Sequence, residues 1–227
     1  TMCLKFLCLA AIRLRAVSIA APAPDSASRL TVTLGFKVGI PVTGMFRASN
    51  TDFFNNTIPG SSYTAAVPRY TFGLTGEFRL PKQLRLEVDG LYKRAGFANS
   101  GAFSGTSDTF YQSTGLNVWE VPVLIKKNLS IGKVRPFVDI GASLRHVSGI
   151  TQYGAFPGGR TQISQNSPAL HNRNSYGGVA GIGMAFKTGP VTLSPEIRYT
   201  RWANESFQAN GLRTNLDQGD VLLGITF

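Results

Sequence analysis

Cysteine is almost missing from this chain of 227 residues: Cys3 and Cys8 stand near the start and none follows. No disulfide framework and no cysteine metal site can be built from that pattern. Histidine is equally scarce. His146 and His171 are the whole supply, so a multi-histidine metal centre is excluded and no metal or other cofactor is expected. The chain is 43% hydrophobic, yet no stretch approaches the ~18 uncharged apolar residues of a membrane-crossing helix. Charge is low, at 15% of residues, and acids are the minority: 23 Lys and Arg against 12 Asp and Glu give a net charge of +11. The bases are spread along the chain without a basic stripe and interleaved aromatics, so nucleic acid is not an expected partner.

What the chain has is glycine, at 25 residues, and alternation. Many short strands joined by Gly-rich turns fit that composition better than helices do. The last stretch, Asp220 to Phe227, puts Val221, Leu223, Ile225 and Phe227 on one face and Asp220, Leu222, Gly224 and Thr226 on the other. A period of two is the mark of a strand between two different environments. The pattern recurs at 30–43, 68–80, 83–94, 114–127, 134–147, 175–187, 190–202 and 217–227. Each segment spans, or slightly exceeds, the ~9–11 residues that a tilted strand needs to cross a bilayer. The expectation is an all-β chain: an eight-stranded antiparallel up-and-down transmembrane β-barrel over residues 30–227.

The connections alternate in length. Those at 80–83, 128–133 and 187–190 are tight turns with Pro or Gly, whereas 44–67, 95–113, 148–174 and 203–216 are long and rich in Gly, Ser, Asn and Thr. Short turns on one side and long extracellular loops on the other are the asymmetry of bacterial barrels, and they place both termini in the periplasm.

A soluble up-and-down barrel would show the same alternation turned inside out. The polar face argues otherwise. It is rich in Gly, Ser and Thr, which suit a crowded interior. It also carries acids and bases in near-equal number: Glu77, Glu87, Asp89, Glu120, Asp139, Glu196 and Asp220 against Lys37, Arg79, Arg85, Lys93, Lys126, Arg135, Arg145 and Arg198. Charges withdrawn from water must pair, so these residues are expected to form a lumen network. Aromatics on the apolar face sort by depth: Tyr70, Tyr92, Tyr176 and Tyr199 near the long loops, Phe78, Phe186 and Phe227 at the opposite ends. Two aromatic girdles at the membrane interfaces predict that layout.

Residues 1–23 combine a basic start, an apolar stretch and an Ala21-Pro22-Ala23 site, and read as a secretory signal peptide, followed by a short linker at 24–29. Arg13 and Arg15 interrupt the apolar stretch, so a plain N-terminal extension stays open as the alternative.

Two neighbouring strands carry a resemblance. The run Trp119-Glu-Val-Pro-Val-Leu-Ile-Lys-Lys127 resembles a Leu-Glu-Ile/Val-Pro-Leu-Leu-Ile/Leu-Lys strand of the small outer-membrane β-barrel domain proteins of the PorT-like kind. Val134-Arg-Pro-Phe-Val-Asp-Ile-Gly-Ala142 is similar to the strand that follows it. The resemblance, which extends to eight-stranded barrels of the OmpA and OmpX type, implies a bacterial outer-membrane location without an assigned reaction.

The function expected is therefore non-enzymatic: a structural or surface-interaction role through the extracellular loops. Their aromatics Phe53, Phe54, Tyr63, Phe97, Phe103, Phe110, Tyr111, Tyr153, Phe156 and Phe207 either pack loop on loop as a cap or mark a recognition surface for an extracellular ligand. On the loop side Arg47, Arg69, Arg94, Arg160, Arg173, Arg201 and Arg213 outnumber Asp52, Asp108, Glu205 and Asp217. That excess favours lipopolysaccharide phosphates weakly, while the turn lysines Lys82, Lys127, Lys133 and Lys187 face inner-leaflet headgroups. Partners expected are outer-membrane lipids and, through the C-terminal strand, the barrel-assembly machinery; the chain is expected to be a monomer. A small passive porin-like channel is one alternative. The other is a lipid A-modifying hydrolase, because His146 and Ser148 are similar to the His-x-Ser element of outer-membrane lipid A deacylases. That family's Asn after the Ser is Gly149 here, and the nearest following acid, Glu196, faces the lumen.

Overall fold

The computed structural model describes residues 31–48, 61–66, 70–102, 108–129, 134–209 and 211–227. The signal peptide expected at 1–23 and the linker at 24–29 lie outside the described residues. In chain order the strands are β1 (Val32–Pro41), β2 (Phe46–Ala48), β3 (Ser61–Ala66), β4 (Thr71–Arg79), β5 (Leu84–Ala102), β6 (Thr109–Asn128), β7 (Arg135–Phe156), β8 (Arg160–Ser164), β9 (Asn174–Thr188), β10 (Val191–Trp202), β11 (Gln208–Ala209), β12 (Leu212–Thr214) and β13 (Asp217–Thr226). Strands β1, β4, β5, β6, β7, β9, β10 and β13 pair in that order, all antiparallel. Pairing of β13 with β1 (Val38↔Leu223, Pro41↔Asp220) closes them into an eight-stranded barrel with no free edge.

The alternation read from the sequence becomes an inside-out distribution. Lys37 and Glu87 are 2% and 0% exposed, while Leu34 and Ile140 are 65% and 67% exposed. Water would select the opposite, so the outer surface is built for hydrocarbon.

The barrel is taller on one side than the loop composition suggested. Within the stretch 95–113, expected as a loop, residues 95–102 and 109–113 continue the β5–β6 hairpin, from Ala95↔Leu116 out to Ala102↔Thr109. Likewise β7 runs on to Phe156 and turns back as β8, with Tyr153 opposite Ile163, inside the stretch expected as the loop 148–174. The loops at 44–67 and 203–216 contain β2, β3, β11 and β12. Above the bilayer the outer face meets water rather than lipid. Apolar alternation is not required there, and ladder hydrogen bonds hold a sequence that looks like a loop. The ladder between β6 and β7 slips between Gly115 and Asn117, opposite Gly149. Gly149 has φ +56°, and a Cβ there would meet the Asn117 amide nitrogen at 2.5 Å, so this bulge needs glycine.

The β4–β5 turn is strained. Lys82 (φ 59°) and Gln83 (φ 61°) both adopt left-handed conformations, and Leu84 N donates to Pro81 O at 3.4 Å. This is a type I′ hairpin turn with neither Asn nor Gly at its centre. The double substitution Lys82→Asn, Gln83→Gly is expected to stabilise the barrel by about 1 kcal/mol. The check is the urea midpoint of the folded protein in micelles; an unchanged or lower midpoint would refute the strain.

Candidate functional site

The lumen holds two ion clusters stacked along the barrel. In the lower one Glu87 accepts hydrogen bonds from Lys37, from Lys126 and, at 3.0 Å, from Arg198 Nη2. Asp89 accepts from Lys37 at 3.0 Å and from Arg198 Nη1 at 2.8 Å, and Glu196 pairs with Arg198 Nε at 2.6 Å. Glu77 extends the cluster through Lys126 at 3.0 Å and Arg85 at 2.5 Å. In the upper cluster Lys93 meets Asp220 at 3.0 Å and Glu120 at 2.9 Å; Glu120 also accepts from Arg145 at 2.9 Å. The Arg145 guanidinium lies 3.7 Å from the ring centroid of Trp202, a residue that the alternation of β10 points inward but that was not singled out from the sequence.

Not every charge expected in the network joins it. Arg79 and Arg135 are exposed and enter no ion pair among the described residues. Both sit at the ends of their strands beside the short turns, where water solvates them. Asp139 is buried, 4% exposed, but neither carboxylate oxygen has a hydrogen-bond partner among the described residues. It pairs in register with Lys126, whose ammonium is taken by Glu77 and Glu87 and lies 4.3 Å from the Phe137 ring centroid.

Above the upper cluster the polarity reverses. Phe46, Phe97 and Phe207 pack edge to face with centroids 5.1, 5.3 and 5.8 Å apart, surrounded by Met45, Leu116, Val118, Val147, Ile150 and Leu212. A small second sheet, β11–β12–β2, carries this cap across the mouth, with Thr214 opposite Phe46 and Leu212 opposite Ala48. Phe207 N donates to Thr214 Oγ1 at 2.8 Å, and Asn215 N donates to Met45 O at 2.7 Å. Of the loop aromatics, Phe97 and Phe207 belong to the cap and Tyr63 packs against it, whereas Tyr111 and Tyr153 stand exposed on the outer wall. Phe53, Phe54 and Phe103 lie outside the described residues. Phe46 and Met45 were missed in the sequence because β2 is too short to show a period. A cavity between the upper ion cluster and the cap, lined by Lys93, Glu120, Arg145, Gln218, Met45 and Val118 among others, measures about 10 Å³. That is the lower limit for a single water molecule.

On the outside, Tyr70, Tyr92, Tyr176 and Tyr199 project from the strand ends beside the tall walls, and Phe78, Phe186 and Phe227 from the opposite ends. Phe72 and Trp119 fill the first group: ring centroids run from Tyr70 to Phe72 at 6.0 Å, to Tyr92 at 5.2 Å and to Trp119 at 5.0 Å. Phe36 joins Phe227 at 6.4 Å. The model of the outer membrane protein beta-barrel domain family matches residues 23–203. The chain belongs to that family. Its location is the bacterial outer membrane. No curated protein matches the chain. Similar solved structures include Neisserial surface protein A, at 15% identity over 86% of this chain and 94% of that one, TM-score 0.42. Ail, the attachment invasion locus protein of Yersinia pestis, in complex with the heparin analogue sucrose octasulfate, is similar at 11% identity over 86% and 97%, TM-score 0.39. AlkL in lipid bilayers is similar at 9% identity over 92% and 95%, TM-score 0.43.

In this outer-membrane barrel exposure means different things at different heights. Ile140, in the lipid-facing part of β7, and Ile163, on β8 beyond it, are 67% and 72% exposed. Ile140→Arg is expected to cost about 2–4 kcal/mol, as a cation near the bilayer midplane does. Ile163→Arg is expected to stay within about 0.5 kcal/mol of wild type. Unfolding in phospholipid vesicles checks both; equal costs would contradict a membrane boundary between Ile140 and Ile163.

Among the described residues no hydrogen bond joins His146 to Ser148. His146 is exposed on the outer face, next in register to Trp119, and a ring nitrogen meets Asn174 Oδ1 at 2.7 Å. No carboxylate hydrogen-bonds this imidazole among the described residues, and the bulge at Gly149 follows Ser148 immediately. A serine nucleophile needs an adjacent base that is itself oriented, usually by an acid.

Proposed function

We propose that this protein is a closed, non-enzymatic barrel that works through its extracellular walls and cap as a surface-interaction protein. The observation that carries the reading is the doubly filled interior: two ion clusters below and an apolar cap above, with a cavity of about 10 Å³ between them. An interior filled in this way supports no flow, which moves the function to the part that stands above the membrane. In this reading both termini face the periplasm, because the short turns with Lys82, Lys127 and Lys187 lie at that end. Arg94 and Arg173, exposed on the tall side, lie within reach of lipopolysaccharide phosphates, and the chain acts as a monomer inserted through recognition of β13 by the assembly machinery.

Planar-bilayer recording of the purified protein tests the closed barrel. No unitary conductance steps are expected; reproducible steps would replace this reading with that of a passive channel. Lipid A incubated with the folded protein is expected to keep its acyl chains. Hydrolysis that disappears in Ser148→Ala would establish an enzyme instead.

A further inference from the structure

The tall wall made by β6, β7 and β8 has an inner face whose composition differs from both the lumen and the cap. Two cross-strand rows run over it, Gln112–Gly154–Gln162 and Thr114–Gln152–Ser164. Gln152 Nε2 donates to Gln112 Oε1 at 3.3 Å. Gly154 is bare for a reason: a Cβ there would come within 2.8 Å of Phe156 Cε2, so the missing side chain lets the Phe156 ring lie against the wall. The segment that follows β8 closes the other side. Asn166 N donates to Ser164 Oγ at 3.2 Å, and a bridge between Leu170 and Phe207 ties the segment to the cap. Between them is a cleft of about 360 Å³ that reaches Asn166, Ser167 and Pro168, and no residue lining it carries a charge. That volume lies in the range of small-molecule sites, about 300–1,000 Å³.

We propose that this cleft binds a short neutral oligosaccharide. Each carboxamide offers a donor and an acceptor in one plane, which suits adjacent sugar hydroxyls that are themselves both donor and acceptor. Phe156 supplies an apolar platform for the C–H face of a pyranose ring, and an aromatic face contributes strongly per unit area. An anionic ligand would find only the edge arginines, Arg160 opposite Phe156 and Arg173, whose Nη2 donates to Asn166 Oδ1 at 3.3 Å. A peptide would require further buried anchor pockets beside the single ring. The inference rests on the surface-interaction reading above and names a ligand class for it.

The test uses the full chain folded in phospholipid nanodiscs, free of glycoside detergent, with maltotriose, cellotriose and chitotriose as probes in saturation-transfer NMR. At least one is expected to bind with a Kd on the order of 1 mM, and Phe156→Ala and the pair Gln112→Ala, Gln152→Ala each to weaken it about tenfold. Tyr153→Ala, on the opposite face of β7, is expected to leave affinity unchanged and controls for folding. Raising the salt to about 0.5 M is expected to change little, because no ion pair is involved. The proposal is overturned if none of the three sugars binds, if binding survives both sets of variants, or if salt abolishes it. Attachment of protein-displaying cells to a protein-coated surface is measured alongside. Attachment without saturation transfer defeats the cleft and spares the broader reading; saturation transfer without attachment supports the cleft and weakens that reading.

Discussion

Replacing Glu87 with Gln is expected to cost the folded barrel about 3–5 kcal/mol, the usual result of removing one partner from a buried ion network. Glu87 is 0% exposed and accepts from Lys37, Lys126 and Arg198. The amide keeps the volume but withdraws the negative charge, and it turns an NH₂ toward cations that have no water to retreat to. The lower cluster makes the comparison sharp. Its buried acids are Glu77, Glu87, Asp89, Asp139 and Glu196, and its bases are Lys37, Arg85, Lys126 and Arg198. Among the described residues acids exceed bases by one, 5 − 4, and the acid left without hydrogen bonds is Asp139. Asp139→Asn is therefore expected to be neutral or stabilising, within about 1 kcal/mol, because it removes a buried charge that no hydrogen bond holds among the described residues. Urea unfolding in micelles, followed by the heat-modifiable band shift, compares the two neutralisations directly. Equal effects at the two sites would mean that the network does not distinguish paired from unpaired carboxylates.

The contrast also shows what the sequence makes legible. Alternation assigns a face, so Lys37, Glu87 and Arg198 can be read as inward without coordinates. It does not assign a level. Lys93 and Asp220 meet although they are 127 residues apart, and only strand tilt and stagger decide which inward charges share a height. For the same reason Arg79 and Arg135, inward by parity, fall at the strand ends and are exposed. The tall walls were hidden because lipid imposes the apolar alternation and water does not. From Ala95 to Ala102 the outward positions are Gly96, Ala98, Ser100 and Ala102, which carry no large apolar side chain although every residue is paired. The cap was hidden by brevity. Phe46 and Leu212 sit in three-residue strands, and their partners Phe97 and Phe207 come from stretches that read as loops.

The second large effect is expected at that cap, and it should be of a different kind. Phe207→Ala removes a ring that is 0% exposed and packs edge to face on both Phe46 and Phe97. Truncating a buried phenylalanine costs about 3–5 kcal/mol, much of it from the cavity left behind. That loss exceeds what so small a sheet supplies: β2 and β12 have 3 residues each and β11 has 2. The cap should open while the barrel below stays closed, because the β1–β13, β10–β13 and β4–β5 ladders and the Glu87 cluster include neither Phe207 nor its ring partners Phe46 and Phe97. Local opening at a low free energy is read by proteolysis. Extracellular protease is expected to cleave the variant on intact cells much faster than wild type, by a hundredfold or more at about 3 kcal/mol. The heat-modifiable shift should survive. Glu87→Gln should do the reverse, lowering the barrel's unfolding midpoint without exposing the cap. Their combination should be additive, as expected for distant sites with no common neighbour. If Phe207→Ala instead abolishes the band shift, cap and barrel are one cooperative unit, and the aromatic cluster is part of what closes the membrane domain rather than a separate lid upon it.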